Sequence, residues 1–295
     1  MDKKHFKKII ILLMVFLMLG CMRTNVEEKG LIAYSKDDVP ISYSVYGDGN
    51  IGLVFVHGWS CDSRYWDLQV DEFKQKYKVI TIDLAGHGHS GFERRKYTMD
   101  LFAEDIAAVV REIGVDKVIL IGHSMGGSII VYAAKKLPQS VIGLIGIDTL
   151  QNVEHKSSAE ELEVLIDPFF NDFRKSADSF VRSMFQPGTD SDLVDWIAAD
   201  MSATPDFVAI SAIREYLGEF VSGEFAEIFK QVRLPVRIIS ADLWPIDYEA
   251  NRRHMLSFNA VIMPKTGHFL MMERPDEFND ILSDTIDWIK QDAIN

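Results

Sequence analysis

The sequence predicts an α/β fold: a mostly parallel central sheet with helices on both faces and an inserted helical cap. Three observations carry that expectation. Short, nearly continuous apolar runs recur along the chain (IGLVFVHG, KVITIDLAG, KVILIGHS, VIGLIGID, VRIIS and NAVIMPK), and strands of this type are covered on both faces. Helical segments separate the runs, and such alternation implies parallel strands joined by right-handed crossovers. Between residues 151 and 232 the alternation gives way to helical, acidic and aromatic sequence, the expected cap. The core is then made of residues 31–150 and 233–295.

Taken in order, the chain starts with MDKKHFKK, which holds four lysines, followed by eleven apolar residues and then Gly20 and Cys21. Residues 1–20 therefore read as a signal peptide. The apolar run falls short of the roughly 20 residues that span a bilayer. A cysteine directly after a small residue resembles a bacterial lipoprotein cleavage site, although Met18 and Leu19 match that pattern imperfectly. Cys21 is thus the expected lipidation site, and the membrane is a partner through that anchor. Residues 21–30 are polar and are expected to form a tether. IAYSKD and PISYSVYG alternate and suggest an opening antiparallel pair.

Helical patterns follow in WDLQVDEFKQKY, MDLFAEDIAAVVREIG, GGSIIVYAAKKLP and PDEFNDILSDTIDWIKQD. In the second, Ile106, Val109, Val110 and Ile113 recur at intervals of three and one, placing them on one face, and Gly114 stops the helix. The cap segment contains Phe169, Phe180, Tyr216 and other aromatics. Rings at helical spacing are more often plain core, so none is assigned a binding role.

The 295 residues, 47% of them hydrophobic, suffice for one large core. Against 44 Asp plus Glu stand 31 Lys plus Arg, a net charge of −13. That balance argues against nucleic acid as a partner. Cys21 and Cys61 are the only cysteines, so a disulfide framework is not expected. Nothing selects an oligomeric state.

The chemistry-bearing residues cluster at strand ends, where open α/β sheets bind ligands. Gly122, His123, Ser124, Met125 and Gly126 form a Gly-x-Ser-x-Gly between a strand and a helix. A sharp turn there strains the serine backbone, and small neighbours leave room for it. The hydroxyl then stands at a helix amino end, where the Met125 N–H faces developing negative charge. HGW at 57–59 follows the strand IGLVFV and brings the Trp59 N–H as a second donor. His268 lies in PKTGHFLMMERP after the last strand. His57 and His123 read as local hydrogen-bonding residues. His87 and His89, in a glycine-rich turn, lack a third ligand at convincing spacing, so no metal is expected.

HGW, DLAGHGHS at 83–90, GHSMGG at 122–127 and GHF at 267–269 together resemble the alpha/beta-hydrolase family across residues 31–295. The resemblance implies Ser124 as nucleophile, His268 as general base and then acid, and Trp59 with Met125 as the oxyanion hole. It implies no cofactor.

One position departs from the family pattern. The acid usually stands in a Gly-x-x-Asp-Pro type turn after the strand that VRIIS represents. Aligning Pro245 with that proline puts Ala241 on the glycine and Trp244 on the aspartate. Asp242 lies two residues earlier, displaced by about 6.6 Å along an extended chain. Asp148, after the strand that follows the nucleophile helix, occupies a place where some family members carry the acid; its bland reading is a cap at the start of the insertion. Asp148 is the first candidate, Asp242 the alternative, with Asp247 or no acid behind them.

The resemblance implies hydrolysis of a small-molecule ester or related acyl bond through an acyl-enzyme. Lactone or thioester cleavage, carbon–carbon bond hydrolysis and cofactor-free perhydrolysis use similar machinery. A different class, a slow surface binding or sensing protein with a hydrolase shell, is motivated by Trp244.

Overall fold

The computed structural model describes residues 27–223 and 225–292; the expected leader, Cys21 and the start of the tether lie outside them. Eight strands form one sheet: β1 (Glu27–Tyr34), β2 (Pro40–Tyr46), β3 (Ile51–Val56), β4 (Lys78–Ile82), β5 (Lys117–His123), β6 (Val141–Ile147), β7 (Pro235–Ala241) and β8 (Ser257–Met263). Their order is β1-β2-β4-β3-β5-β6-β7-β8. β1 and β2 are an antiparallel pair, and β2 runs antiparallel to β4. Every pairing from β4 across to β8 is parallel. The central strands β3 and β5 are buried almost throughout, as their unbroken apolar sequence requires.

The main helices are α1 (Asp67–Phe73), α2 (Met99–Ile113), α3 (Met125–Lys136) and α11 (Pro275–Asp292), with short α9 (Tyr248–His254) and α10 (Leu270–Glu273) near the carboxyl terminus. α2 packs on α3, and α1 on α11, supplying the layers that cover the sheet. Thr98 caps α2 by accepting the Leu101 N–H, and Gly114 ends it in the left-handed region at φ 66°.

Two expectations need correction. The tether was expected to reach residue 30, but Glu27–Gly30 already belong to β1, with Glu27 opposite Tyr46 and Glu28 opposite Val45. EEKG is exposed; an edge strand gains backbone hydrogen bonds without needing apolar side chains. The helix expected over residues 66–77 is a 3-10 turn, Ser63–Trp66, followed by α1, which stops at Phe73. Beyond it the Lys76 and Tyr77 N–H groups both turn back to the Phe73 carbonyl.

Between β6 and β7 lie α4 (Ala159–Asn171), α5 (Phe173–Arg182), α6 (Ser191–Met201), α7 (Asp206–Ser222) and α8 (Phe225–Ile228). They form the helical cap. It is moored on Trp59, whose ring meets Phe169, Phe173 and Phe180 at centroid distances of 5.5, 6.1 and 5.9 Å. Its indole N–H donates to the Ala209 carbonyl at 2.7 Å. Burial of Phe169 alone is worth about 2 kcal/mol. Among the described residues no helix is long and apolar enough to cross a membrane.

Candidate active site

The bend between β5 and α3 puts Ser124 at φ 52°, ψ −120°, a backbone region that costs a non-glycine residue about 1–3 kcal/mol. Glycine on either side makes it possible. A Cβ on Gly122 would lie 2.3 Å from the Gly126 carbonyl oxygen, and one on Gly126 would lie 2.7 Å from the carbonyl oxygens of Val56 and His57. The Ser124 N–H donates to Ile147 at 3.0 Å, pinning the bend to β6. Met125 is the first residue of α3, so its N–H belongs to the group with no acceptor inside the helix.

The HGW segment passes over the serine: a Cβ on Gly58 would stand 3.2 Å from the Ser124 Cβ. His57 shapes this loop. Its Nε2 accepts the Leu84 N–H at 3.0 Å, so Nδ1 carries the proton and donates to the Gly58 carbonyl at 2.8 Å. Burial lowers the His57 pKa and keeps the ring neutral. The DLAGHGHS turn braces the same loop, because Asp83 accepts the backbone N–H groups of Ser63 and His89, each at 2.9 Å. His87 is buried with Nδ1 near the Ala85 carbonyl, and desolvation pushes its pKa down to about 3. These histidines bond to the turn's own backbone and to Asp83. No metal-holding group of three or more His, Cys, Asp or Glu occurs among the described residues.

On the other side, His268 Nδ1 and Asp148 Oδ2 are 2.6 Å apart. Asp148 follows β6 with φ 46°, and its N–H donates to Ile239 of β7. Its Oδ1 accepts from Ser240 Oγ at 2.9 Å, the Ala241 N–H at 3.0 Å and Gln151 Nε2 at 3.3 Å. A buried carboxyl group with this many donors is held in one orientation. Asp242 is exposed and accepts the Lys265 N–H at 3.1 Å, while Asp247 caps α9 by accepting the Ala250 N–H. The chain therefore brings Asp148 to the imidazole; Asp242 and Asp247 are engaged elsewhere.

The His268 loop is clamped on every side. Its N–H donates to Met184 of the cap, its carbonyl accepts from His123 Nε2 at 2.9 Å, and Glu273 accepts the flanking Gly267 and Phe269 N–H groups. Burial raises the Glu273 pKa. Burial, with His268 alongside, holds the His123 pKa well below the ordinary value; His123 is thus a neutral brace. Trp244 stands edge-on to the His268 ring at 5.6 Å, so the residue in the family's acid position covers the imidazole instead of bonding it.

Ser124, His268 and Asp148 line one cavity of about 440 Å³ beneath the cap, together with Trp59 and Cys61. Its outer wall is apolar, with Leu165, Phe180, Met184, Met201 and Leu217. Cys61 is a free thiol whose pKa burial raises well above the ordinary value, which disfavours the thiolate that a cysteine nucleophile needs. Sequence reasoning assigned no role to Gln151, Ser240, Glu273, Phe180 or Tyr216. For Ser240 a signal existed: Ile147 pairs with Ile239, so Asp148 and Ser240 are the next residues on adjacent parallel strands.

A sheet of this order, with a serine bend after β5 and a histidine loop after β8, defines an alpha/beta hydrolase. The family description "Alpha/beta hydrolase family" matches residues 53–281, and the chain belongs to that family. It is 42% identical over 96 residues to a putative esterase/lipase of Haemophilus influenzae, covering 32% of this chain and 33% of that protein. The chain thus matches only a third of that relative's length. With a non-heme haloperoxidase of Rhodococcus erythropolis it shares 28% identity over 277 residues, covering 84% of this chain and 97% of the relative. An esterase from Exiguobacterium antarcticum has the same fold, with a TM-score of 0.77 at 18% identity over 88% of this chain and 99% of that one.

Proposed function

We propose that the protein is a serine hydrolase that cleaves a carboxylic ester or related acyl bond through an acyl-enzyme. The carrying observation is the 2.6 Å contact of His268 with Asp148 in the cavity that Ser124 also lines. Ser124 Oγ attacks the carbonyl carbon as His268 Nε2 takes its proton. The oxyanion meets the N–H groups of Trp59 and Met125, and Asp148 stabilises the imidazolium. The imidazolium then protonates the departing alcohol, and water, activated by the same histidine, releases the acid.

The test is labelling by a fluorophosphonate probe. The protein should label stoichiometrically and Ser124→Ala should not; a folded protein that stays unlabelled would sink the proposal. The 2.6 Å contact of Asp148 with His268 supports a working acid despite Trp244, and so favours an enzyme over a binding shell. Perhydrolysis is the second reading, motivated by the near full-length similarity to a protein named non-heme haloperoxidase. Hydrogen peroxide would replace water at the acyl-enzyme, and peracid formation in competition with hydrolysis measures it.

Export and lipid attachment at Cys21 belong to the same reading. The lysine-rich start, the apolar run and Gly20-Cys21 support them. Radiolabelled palmitate should enter the protein in bacterial cells, and Cys21→Ser should abolish incorporation.

A further inference from the structure

A second cavity of about 340 Å³ adjoins the first, and Gln151, Tyr216 and Trp244 line both. We propose that this cavity is the leaving-group subsite and that it accepts an aromatic alcohol bearing a hydrogen-bonding substituent. The inference rests on the hydrolase reading above and adds the substrate's alcohol half.

The partition lies on the acid side of the machinery. Gln151 bonds Asp148, and Trp244 stands against His268. Ser124 lines the first cavity but not the second. In the collapse of the tetrahedral intermediate the carbon–oxygen bond to the alcohol breaks, and that oxygen takes the proton from the His268 imidazolium. The ester of Ser124 stays behind, and a neutral alcohol leaves. The departing oxygen must therefore lie on the His268 side, with its substituent continuing past Trp244. The carbonyl oxygen is committed to Trp59 and Met125, leaving the apolar wall of Leu165, Phe180 and Met184 to the acyl chain.

The second cavity differs in chemistry from that wall. Tyr216, Phe220, Phe225 and Trp244 offer ring surfaces, and Ser128, Thr149 and Asn152 add hydrogen-bonding side chains. A flat ring with a polar substituent matches both, whereas a plain alkyl alcohol uses neither the ring faces nor the remaining hydrogen-bonding capacity of these side chains. The exposed His155 marks its rim, so the alcohol has a way out that does not cross the acyl-enzyme.

The experiment compares two ester series on the full-length protein. One holds the acyl group constant as acetate and varies the alcohol: ethyl, benzyl and 4-hydroxybenzyl, whose aliphatic hydroxyls differ little in acidity. The other is a set of methyl esters from acetate to octanoate. The unmodified protein should prefer 4-hydroxybenzyl over ethyl acetate by about tenfold or more in kcat/KM. His155→Trp and Asn152→Trp fill the second cavity from its rim and touch none of Ser124, His268 or Asp148. Each should lower kcat/KM for 4-hydroxybenzyl acetate by about tenfold, mainly through KM, and leave methyl octanoate within about twofold. No preference among acetates, or an equal fall in both series, overturns the subsite alone. If the protein cleaves no ester and Ser124 takes no fluorophosphonate, the hydrolase reading fails and the subsite falls with it.

Discussion

The two ends of the proposed relay are built differently. At the serine end one contiguous stretch, Lys117–Lys136, supplies strand, bend and helix, and glycine contacts force the hydroxyl into position. At the acid end the parts are far apart in the chain: Asp148 after β6, Ser240 and Ala241 at the end of β7, and His268 after β8. Backbone geometry fixes the first, while hydrogen bonds between neighbouring strand ends assemble the second. Here the carboxylate comes from the end of β6, and Trp244, in the usual acid position after β7, stands edge-on to the same imidazole.

The strongest test of that contrast is a pair of amides. Asp148→Asn keeps the shape but offers the wrong hydrogen-bonding group to His268, and turnover should fall by about 10⁴. Asp242→Asn retains an oxygen for the Lys265 N–H, and turnover should stay within about twofold. Steady-state ester hydrolysis by both variants decides it; the reverse order would return the acid to β7.

A smaller effect is expected where the cap meets the serine helix. Glu219 of α7 is held by Ser128 and Tyr132 of α3, yet its Oε2 has no hydrogen-bond partner among the described residues. Burial pushes its pKa up to about 7, with Glu215 adding to the rise. The folded state thus keeps a proton that the unfolded chain releases near pH 4.5. Stability from this group is full below that pH and falls as pH climbs through about 7. Glu219→Gln removes the penalty: it should match the parent at pH 4.5 and exceed it by up to about 3 kcal/mol at pH 8. Urea unfolding at the two pH values measures the difference, and an equal gain at both would show that protonation is not its source.

Local geometry was legible in the sequence where neighbouring residues determine it. The buried strands, the helix from Met99 to its stop at Gly114 and the serine bend all arise within short windows. The edge strand at Glu27–Gly30 was not, because its hydrogen bonds belong to β2 and leave no apolar pattern. The acid stayed divided between Asp148 and Asp242, since the choice depends on how the ends of β6 and β7 meet the His268 loop. Cap rings were ambiguous for another reason: Phe169 packs on Trp59 whereas Phe180 both packs there and lines the cavity, and helical spacing is the same for either role.

Ser240→Ala gives the gentlest cut at the assembled end. The hydroxyl supplies one of three hydrogen bonds to Asp148 Oδ1; the Ala241 N–H and Gln151 Nε2 supply the others. Losing one bond to a charged group costs about 1.5 kcal/mol, so kcat should fall by about tenfold with KM little changed. The remaining donors still hold the carboxylate on His268, so the loss stays far below that of Asp148→Asn. If Ser240→Ala were as damaging as Asp148→Asn, the acid end would depend on a single contact and the contrast with the serine end would fail. If it changed nothing, the Ala241 N–H and Gln151 Nε2 would suffice to position the acid, and the Ser240 hydroxyl would play no part in it.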